Sequence, residues 1–131
     1  MIVVDASAVV EALVGRNAPE AIMQALTGEV AAPTVLDIEV LSALRGLTLG
    51  GVLPLEAAES ARHNYFDLAI ARYEVKPLSD RIWQLRRQYT AYGAAYLALA
   101  EALDVPLWTC DRKLTAGAHQ AQVVVLASAL E

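Results

Sequence analysis

Cysteine and histidine are both scarce in this chain. Its 131 residues include one cysteine, Cys110, and two histidines, His63 and His119. A single cysteine excludes an internal disulfide and is typical of a protein kept in the reducing cytoplasm, where we expect this one. Neither histidine has a second one at metal-ligand spacing, so both are interpreted as ordinary residues and Cys110 as a small hydrophobic residue at a strand end. The sequence therefore gives no indication of a His/Cys metal cluster.

Charged residues and long apolar runs are also few. Charged residues make up 19% of the chain, hydrophobic residues make up 56%, and the net charge is −5. No apolar run approaches the roughly 18 residues that a membrane span needs, and no basic segment precedes the first apolar run, so neither a membrane segment nor a signal peptide is expected. The apolar surplus favours a face covered by a second copy or by a partner. An acidic chain would contact nucleic acid through a metal ion or a local basic patch.

Short apolar runs alternate with longer helical segments along the whole chain. This alternation predicts one α/β domain over residues 1–131, helix-rich, with a short central parallel sheet. Strands are predicted at 2–4, 30–32, 106–109 and 123–126, with a strand or turn at 75–78. Helices are predicted after an N-cap at Ser7, from Pro19 to Gly28, from 35 to 49 behind a Thr34/Asp37 cap, from Pro54 to Arg72, after a cap at Ser79, and from 94 to 103.

Two aspartates follow predicted strands directly. Asp5 ends the run Ile2-Val3-Val4, and Asp111 follows the strand that ends at Thr109. The carboxyl ends of parallel strands meet at one edge of a sheet, which is where ligands of open α/β folds bind. Each aspartate alone is equally consistent with an ordinary turn residue, whereas the two together favour a site.

Glu39 is the third candidate, because it lies on a helix that is apolar nearly all round. A buried carboxylate needs a partner, and the alternative to a site is an ion pair with Arg45 or Arg112. Several carboxylates at one edge repel one another unless a cation neutralises them. Oxygen ligands without a His/Cys cluster suit Mg²⁺ or Mn²⁺, ions that activate water and bind phosphoryl oxygens.

The basic and aromatic residues have two interpretations each. Arg112 and Lys113 either contact a phosphate or form a solvated turn. A group of arginines on one predicted helix is either part of an RNA track or a solvated face, and two tyrosines either stack on bases or pack in the core. The arginines are Arg81, Arg86 and Arg87, and the tyrosines are Tyr92 and Tyr96.

Four segments together resemble the PIN-domain family, and more closely the VapC toxins of bacterial VapBC toxin–antitoxin pairs. They are Val3-Val4-Asp5-Ala6-Ser7, Asp37-Ile38-Glu39-Val40, Ala98-Leu99-Ala100-Glu101-Ala102-Leu103 and Thr109-Cys110-Asp111-Arg112-Lys113-Leu114. The resemblance implies a three-layer α/β/α fold, a homodimer, Mg²⁺-dependent endoribonuclease activity and inhibition by a cognate antitoxin. It also implies that Asp5, Glu39 and Asp111 are catalytic metal ligands and that Ser7 and Thr109 line the site, with Arg112 beside them.

One position departs from the family pattern. The family usually has an aspartate in a Tyr-Asp-Ala context before the apolar helix, and this chain reads Tyr92-Gly93-Ala94. Gly93 is predicted to be the helix N-cap, where Asp and Gly differ by only a few tenths of a kcal/mol. We therefore expect the fold to tolerate Gly93 and the metal site to be weakened, giving a weakly active or inactive nuclease.

Two other functions fit parts of the pattern. A haloacid-dehalogenase-like phosphatase also begins with a strand-end Asp, used as a nucleophile, but it needs a second Asp at the position of Ser7. A non-catalytic PIN domain that only binds an antitoxin or RNA would need no complete metal site.

Overall fold

The computed structural model describes residues 1–130. Within these residues the chain forms five strands and six α-helices, and two short 3₁₀ helices lie at Lys76–Leu78 and Arg112–Thr115. The strands are β1 (Ile2–Val4), β2 (Val30–Pro33), β3 (Ile70–Tyr73), β4 (Leu107–Thr109) and β5 (Val123–Val125). The helices are α1 (Ala6–Val14), α2 (Glu20–Ala25), α3 (Leu36–Leu49), α4 (Leu55–Asp67), α5 (Ser79–Gln84) and α6 (Ala91–Leu103).

All neighbouring strands are parallel, in the order β3-β2-β1-β4-β5. The chain builds outward from β1 to β3 and then returns to add β4 and β5 on the other side of β1. The direction of winding therefore reverses between β1 and β4, and a crevice forms at such a point beyond the carboxyl ends of the strands. The α/β class with a short parallel sheet is confirmed.

Helices cover the sheet on both faces. Crossovers between parallel strands are right-handed, so those that move in opposite directions across the sheet place their helices on opposite faces. Helix α1 contacts β4 and packs against α3 and α4, while α6 packs on β1, β2 and β4. Every residue of α6 from Ala94 to Ala100 is buried, because its four alanines allow the backbone to approach the sheet closely. No helix within residues 1–130 is long and apolar enough to cross a membrane.

One strand was missing from the sequence-based prediction. The helix predicted from Pro54 to Arg72 ends at Asp67, and Ile70–Tyr73 forms β3 at the edge of the sheet, paired along its length with β2. The edge position explains the error, because β3 contains the exposed residues Ala71 and Arg72 and lacks an apolar run. The 75–78 segment is also not a strand, since Lys76–Leu78 forms a 3₁₀ helix.

The predicted N-caps of α1, α3 and α5 were wrong. The N-cap of α1 is Asp5, whose side chain accepts a hydrogen bond from the Ala8 N–H, while Ser7 lies inside the helix. Helix α3 has no side-chain cap at its start, so Thr34 does not cap it. Ser79 is the first residue of α5 rather than its cap, and its hydroxyl donates to the Lys76 carbonyl.

Candidate metal-dependent nuclease site

Asp5 is the most buried of the three candidate carboxylates, with 7% of its surface exposed. It directly follows β1, and its Oδ1 accepts hydrogen bonds from the Ser7 hydroxyl at 2.7 Å and the Ala8 N–H at 3.0 Å. Its Oδ2 accepts from the Thr109 hydroxyl at 2.5 Å. The N-cap geometry and these donors fix the orientation of the carboxylate before any ligand binds.

Ser7 and Thr109 join the ends of β1 and β4. The Thr109 hydroxyl is fully buried, donates to Asp5 and accepts from the Asp111 N–H at 2.9 Å. The Ser7 hydroxyl accepts from the Cys110 N–H at 2.8 Å and lies 3.3 Å from the Thr109 hydroxyl. The two hydroxyls therefore connect the Asp5 carboxylate to the backbone that carries Asp111.

Asp111 and Glu39 reach the same edge from other elements. Asp111 is exposed and caps the second 3₁₀ helix, its Oδ1 accepting from the Lys113 N–H at 3.0 Å. Glu39 lies in the first turn of α3, just beyond β2, and its Oε1 accepts from the Tyr96 hydroxyl at 2.5 Å. Neither Arg45 nor Arg112 forms the ion pair that was the alternative for Glu39.

All three carboxylates line one cleft of about 470 Å³. The cleft lies over the crevice between β1 and β4, and the N-terminal turn of α6 forms its opposite wall. Besides Asp5, Glu39 and Asp111, the lining residues are Ala6, Ser7, Gln88, Tyr89, Thr90, Tyr92, Gly93, Tyr96, Lys113 and Leu114.

The electrostatics of the cleft favour a bound cation. Burial raises the pKa of Asp5 against the effect of its three hydrogen bonds, and the charge of Asp111 raises it further. Burial also raises the pKa of Glu39, with a hydrogen bond from Tyr96 opposing the shift and the charge of Asp5 adding to it. The ionised carboxylates thus repel one another, and a divalent ion would relieve that repulsion.

Gly93 lies in this cleft, but it is not the helix N-cap. Helix α6 begins at Ala91, and Thr90 is the cap, its hydroxyl accepting from the Gly93 N–H at 3.2 Å. A Cβ added at Gly93 would lie 3.2 Å from Leu114 Cδ2. An aspartate there would therefore stand in the first helical turn, where negative charge is favourable, and would project into the cleft after a small shift of Leu114.

Of the basic residues considered in the sequence, some line the cleft and others lie outside it. Lys113 lines the cleft, whereas Arg112 lines a neighbouring groove that also contains Lys113 and Asp111. Arg81 is held by Glu101 at 2.7 Å and by the Ala118 carbonyl, which gives it a structural role. An RNA track, one of the two interpretations of these arginines, would therefore lack Arg81.

The aromatic residues differ in exposure. Arg86 stacks on the exposed ring of Trp83, 4.9 Å from its centroid. Tyr92 is 56% exposed on the cleft wall, while Tyr96 is 2% exposed and packs in the core. The sequence-based account missed the bond from Tyr96 to Glu39 and the contribution of Gln88 and Thr90 to the cleft. A Thr at the start of a helical run was the available signal for Thr90.

Comparisons with known proteins place the chain in a family. The PIN-domain family model matches residues 2–119. The chain belongs to the PIN-domain family. It is 38% identical to ribonuclease VapC12 of Mycobacterium tuberculosis over 129 residues, covering 97% of this chain and 100% of that protein. It is 44% identical to ribonuclease VapC1 of the same species over 117 residues, covering 87% and 88% of the two chains. These matches confirm the resemblance to VapC ribonucleases and remove support from the phosphatase interpretation.

Solved structures of PIN-like fold agree with this architecture. PAE2754 from Pyrobaculum aerophilum superposes with a TM-score of 0.70 at 23% identity, covering 93% of this chain and 82% of that one. A toxin–antitoxin complex from Klebsiella pneumoniae superposes with a TM-score of 0.59 at 19% identity, covering 95% and 96%. The PIN-like fold is thereby confirmed.

PIN-domain VapC nucleases are generally metal-dependent. Within residues 1–130, however, no three His, Cys, Asp or Glu side chains are gathered closely enough to hold an ion by themselves. The carboxylates share a cleft, but each is turned towards its own hydrogen-bond donors, and position 93 offers no carboxylate. Mg²⁺ is usually held by one or two carboxylates plus waters and substrate phosphates, so the all-oxygen donor set still fits such an ion.

Proposed function

We propose that this PIN domain, spanning the whole chain, is the endoribonuclease toxin of a type II toxin–antitoxin pair. The supporting observation is a cleft at the β1/β4 switch point that holds three carboxylates and no ion pair to any of them within residues 1–130. Asp5, Glu39 and Asp111 would hold Mg²⁺ or Mn²⁺. The bound ion would supply a more acidic water and neutralise phosphate charge during hydrolysis of the RNA backbone.

The chain's own residues would prepare this chemistry. Ser7 and Thr109 orient Asp5 through hydrogen bonds to both carboxylate oxygens. Lys113 supplies a positive charge for a phosphate at the rim of an otherwise acidic cleft, and Tyr92 offers an exposed ring on which a base can stack. Gly93 leaves the ion short of one carboxylate, so we propose that this chain is a weak nuclease.

We further propose a cognate antitoxin, a homodimer and a cytoplasmic location. The antitoxin finds support in a mostly apolar groove beside the cleft, with Arg112 and Lys113 at one side. The homodimer finds support in large exposed apolar side chains at the α3–α4 connection, Leu49, Val52 and Leu55.

The test is cleavage of single-stranded RNA by the purified chain. We expect slow cleavage in Mg²⁺ or Mn²⁺ that stops when EDTA is added and returns when the ion is restored in excess. Cleavage that persists unchanged in EDTA would contradict the proposal. No cleavage together with tight antitoxin binding would favour the non-catalytic PIN domain. The spacing of the three carboxylates also supports that alternative, because within residues 1–130 no three His, Cys, Asp or Glu side chains are close enough together to hold one ion.

A further inference from the structure

Two buried tyrosines donate hydrogen bonds to two carboxylates in the first turn of α3. The Tyr65 hydroxyl donates to Asp37 Oδ1 at 2.6 Å, and the Tyr96 hydroxyl donates to Glu39 Oε1 at 2.5 Å. Both tyrosine rings are almost fully buried. The two pairs therefore have the same chemistry and lie two residues apart on one helix.

In the Tyr65–Asp37 pair, an arginine of the same chain neutralises the charge of the carboxylate. Arg72 on β3 binds both carboxylate oxygens of Asp37 through Nε at 3.0 Å and forms an ion pair with it. Although burial acts in the opposite direction, the bonds from Arg72 and Tyr65 lower the pKa of Asp37. Asp37 thus has a complete set of partners, and it is structural rather than part of the cap predicted for α3.

The second pair has no positive partner in the described part of the chain. No Lys, Arg or His within residues 1–130 lies at ion-pair distance from Glu39, and its Oε2 accepts no hydrogen bond from these residues. Glu39 is half-buried and lines the acidic cleft. A hydroxyl donor fixes a carboxylate without cancelling its charge, whereas an arginine in the same place would neutralise Glu39 and repel a cation.

We propose that Tyr96 is a positioning residue for the divalent cation, because its hydroxyl fixes Glu39 Oε1 and leaves Oε2 for the ion. This inference rests on the proposed function. Tyr96 lies one helical turn after Gly93 on α6, so its ring and the position of the missing carboxylate face the same cleft. Groups that hydrogen-bond to metal ligands fix ligand orientation, and their loss weakens metal affinity by about 10- to 100-fold.

The experiment compares Tyr96→Phe with Tyr65→Phe, which removes the equivalent hydroxyl from the structural pair. Mn²⁺ affinity is measured from the electron paramagnetic resonance signal of the free ion, and thermal unfolding is recorded for each variant. The series is run in the present chain and in a Gly93→Asp background. We expect Tyr96→Phe to weaken Mn²⁺ binding about 10-fold and Tyr65→Phe to leave it unchanged, although both variants lose stability.

A Glu39→Gln variant distinguishes failure of the proposed metal site from failure of the proposed role of Tyr96. If Glu39→Gln does not weaken Mn²⁺ binding, the proposed metal site and the role of Tyr96 both fail. If Glu39→Gln weakens binding but Tyr96→Phe does not, only the role of Tyr96 is overturned. Equal losses of Mn²⁺ affinity in Tyr96→Phe and Tyr65→Phe would also overturn the role of Tyr96, because they would show that either change disturbs α3 as a whole. In the Glu39→Gln background, adding Tyr96→Phe is expected to cause no further loss of Mn²⁺ affinity.

Discussion

Gly93→Asp is expected to increase metal-dependent RNA cleavage by about 10-fold or more, because a group that only hydrogen-bonds to a metal ligand, without touching the metal, is already worth about 10- to 100-fold in affinity or activity. The new carboxylate would stand in the first turn of α6, in the cleft that holds Asp5, Glu39 and Asp111. Initial cleavage rates of a single-stranded RNA at matched Mg²⁺ concentrations measure the effect.

Gly93→Asn is the matched control, because it introduces a side chain of nearly the same shape without the charge. Both side chains require the same small shift of Leu114, whose Cδ2 lies 3.2 Å from the added Cβ. Both also replace a glycine within a helix, so stability is expected to change by no more than about 1 kcal/mol. Equal cleavage rates for the original chain, Gly93→Asn and Gly93→Asp would show that position 93 does not limit activity.

Asp5→Asn is expected to reduce cleavage on the order of 100-fold without destabilising the fold. Asn is as good an N-cap as Asp, so the bond from the Ala8 N–H is kept. The variant removes a charge that is buried without a positive partner among residues 1–130, a situation that costs folding free energy. Cleavage rate and thermal unfolding are measured on the same protein preparations, the unfolding in metal-free buffer. We expect the cleavage rate of Asp5→Asn to fall while its unfolding temperature does not.

The stability difference between the original chain and Asp5→Asn is expected to depend on pH in one direction. Because burial raises the pKa of Asp5 above its usual 3.8, the folded chain binds this proton more tightly than the unfolded chain does. The stability of the original chain relative to Asp5→Asn is therefore expected to fall as pH rises from about 4 through the raised pKa. A difference that stays constant or grows in favour of Asp5 with rising pH would contradict this account of the site.

Asp5→Ala provides the second control. It removes the same charge but also the acceptor for the Ala8 N–H and for the Ser7 and Thr109 hydroxyls. Loss of an N-cap alone costs about 1 kcal/mol, so this variant is expected to be less stable than Asp5→Asn and equally inactive.

The sequence predicted the parts of the fold that local patterns determine. The β-branched run Ile2-Val3-Val4 followed by Asp5 predicted both a buried strand and the place of the carboxylate. Strand β3 was missed because its pairing with β2, rather than its own pattern, makes it a strand. The Ser7 cap was wrong because Asp5, two residues earlier, supplies the capping oxygen.

Interactions between distant residues were the least predictable. Thr34 and Asp37 match a capping pattern, but the partners of Asp37 are Tyr65 and Arg72, which lie 28 and 35 residues further on. Likewise, the partner of Glu39 lies 57 residues away on α6. No local pattern contains these pairs, although the need of a half-buried Glu39 for some partner was evident from its apolar helix.

Crystals of the Gly93→Asp variant soaked in Mn²⁺ offer the most direct measurement, because anomalous scattering locates the ion itself. The proposed site predicts a peak in the acidic cleft within bonding distance of Asp5 and of at least one of Glu39 and Asp111. A fully occupied ion bound elsewhere, or an empty cleft at Mn²⁺ concentrations that support RNA cleavage, would contradict it.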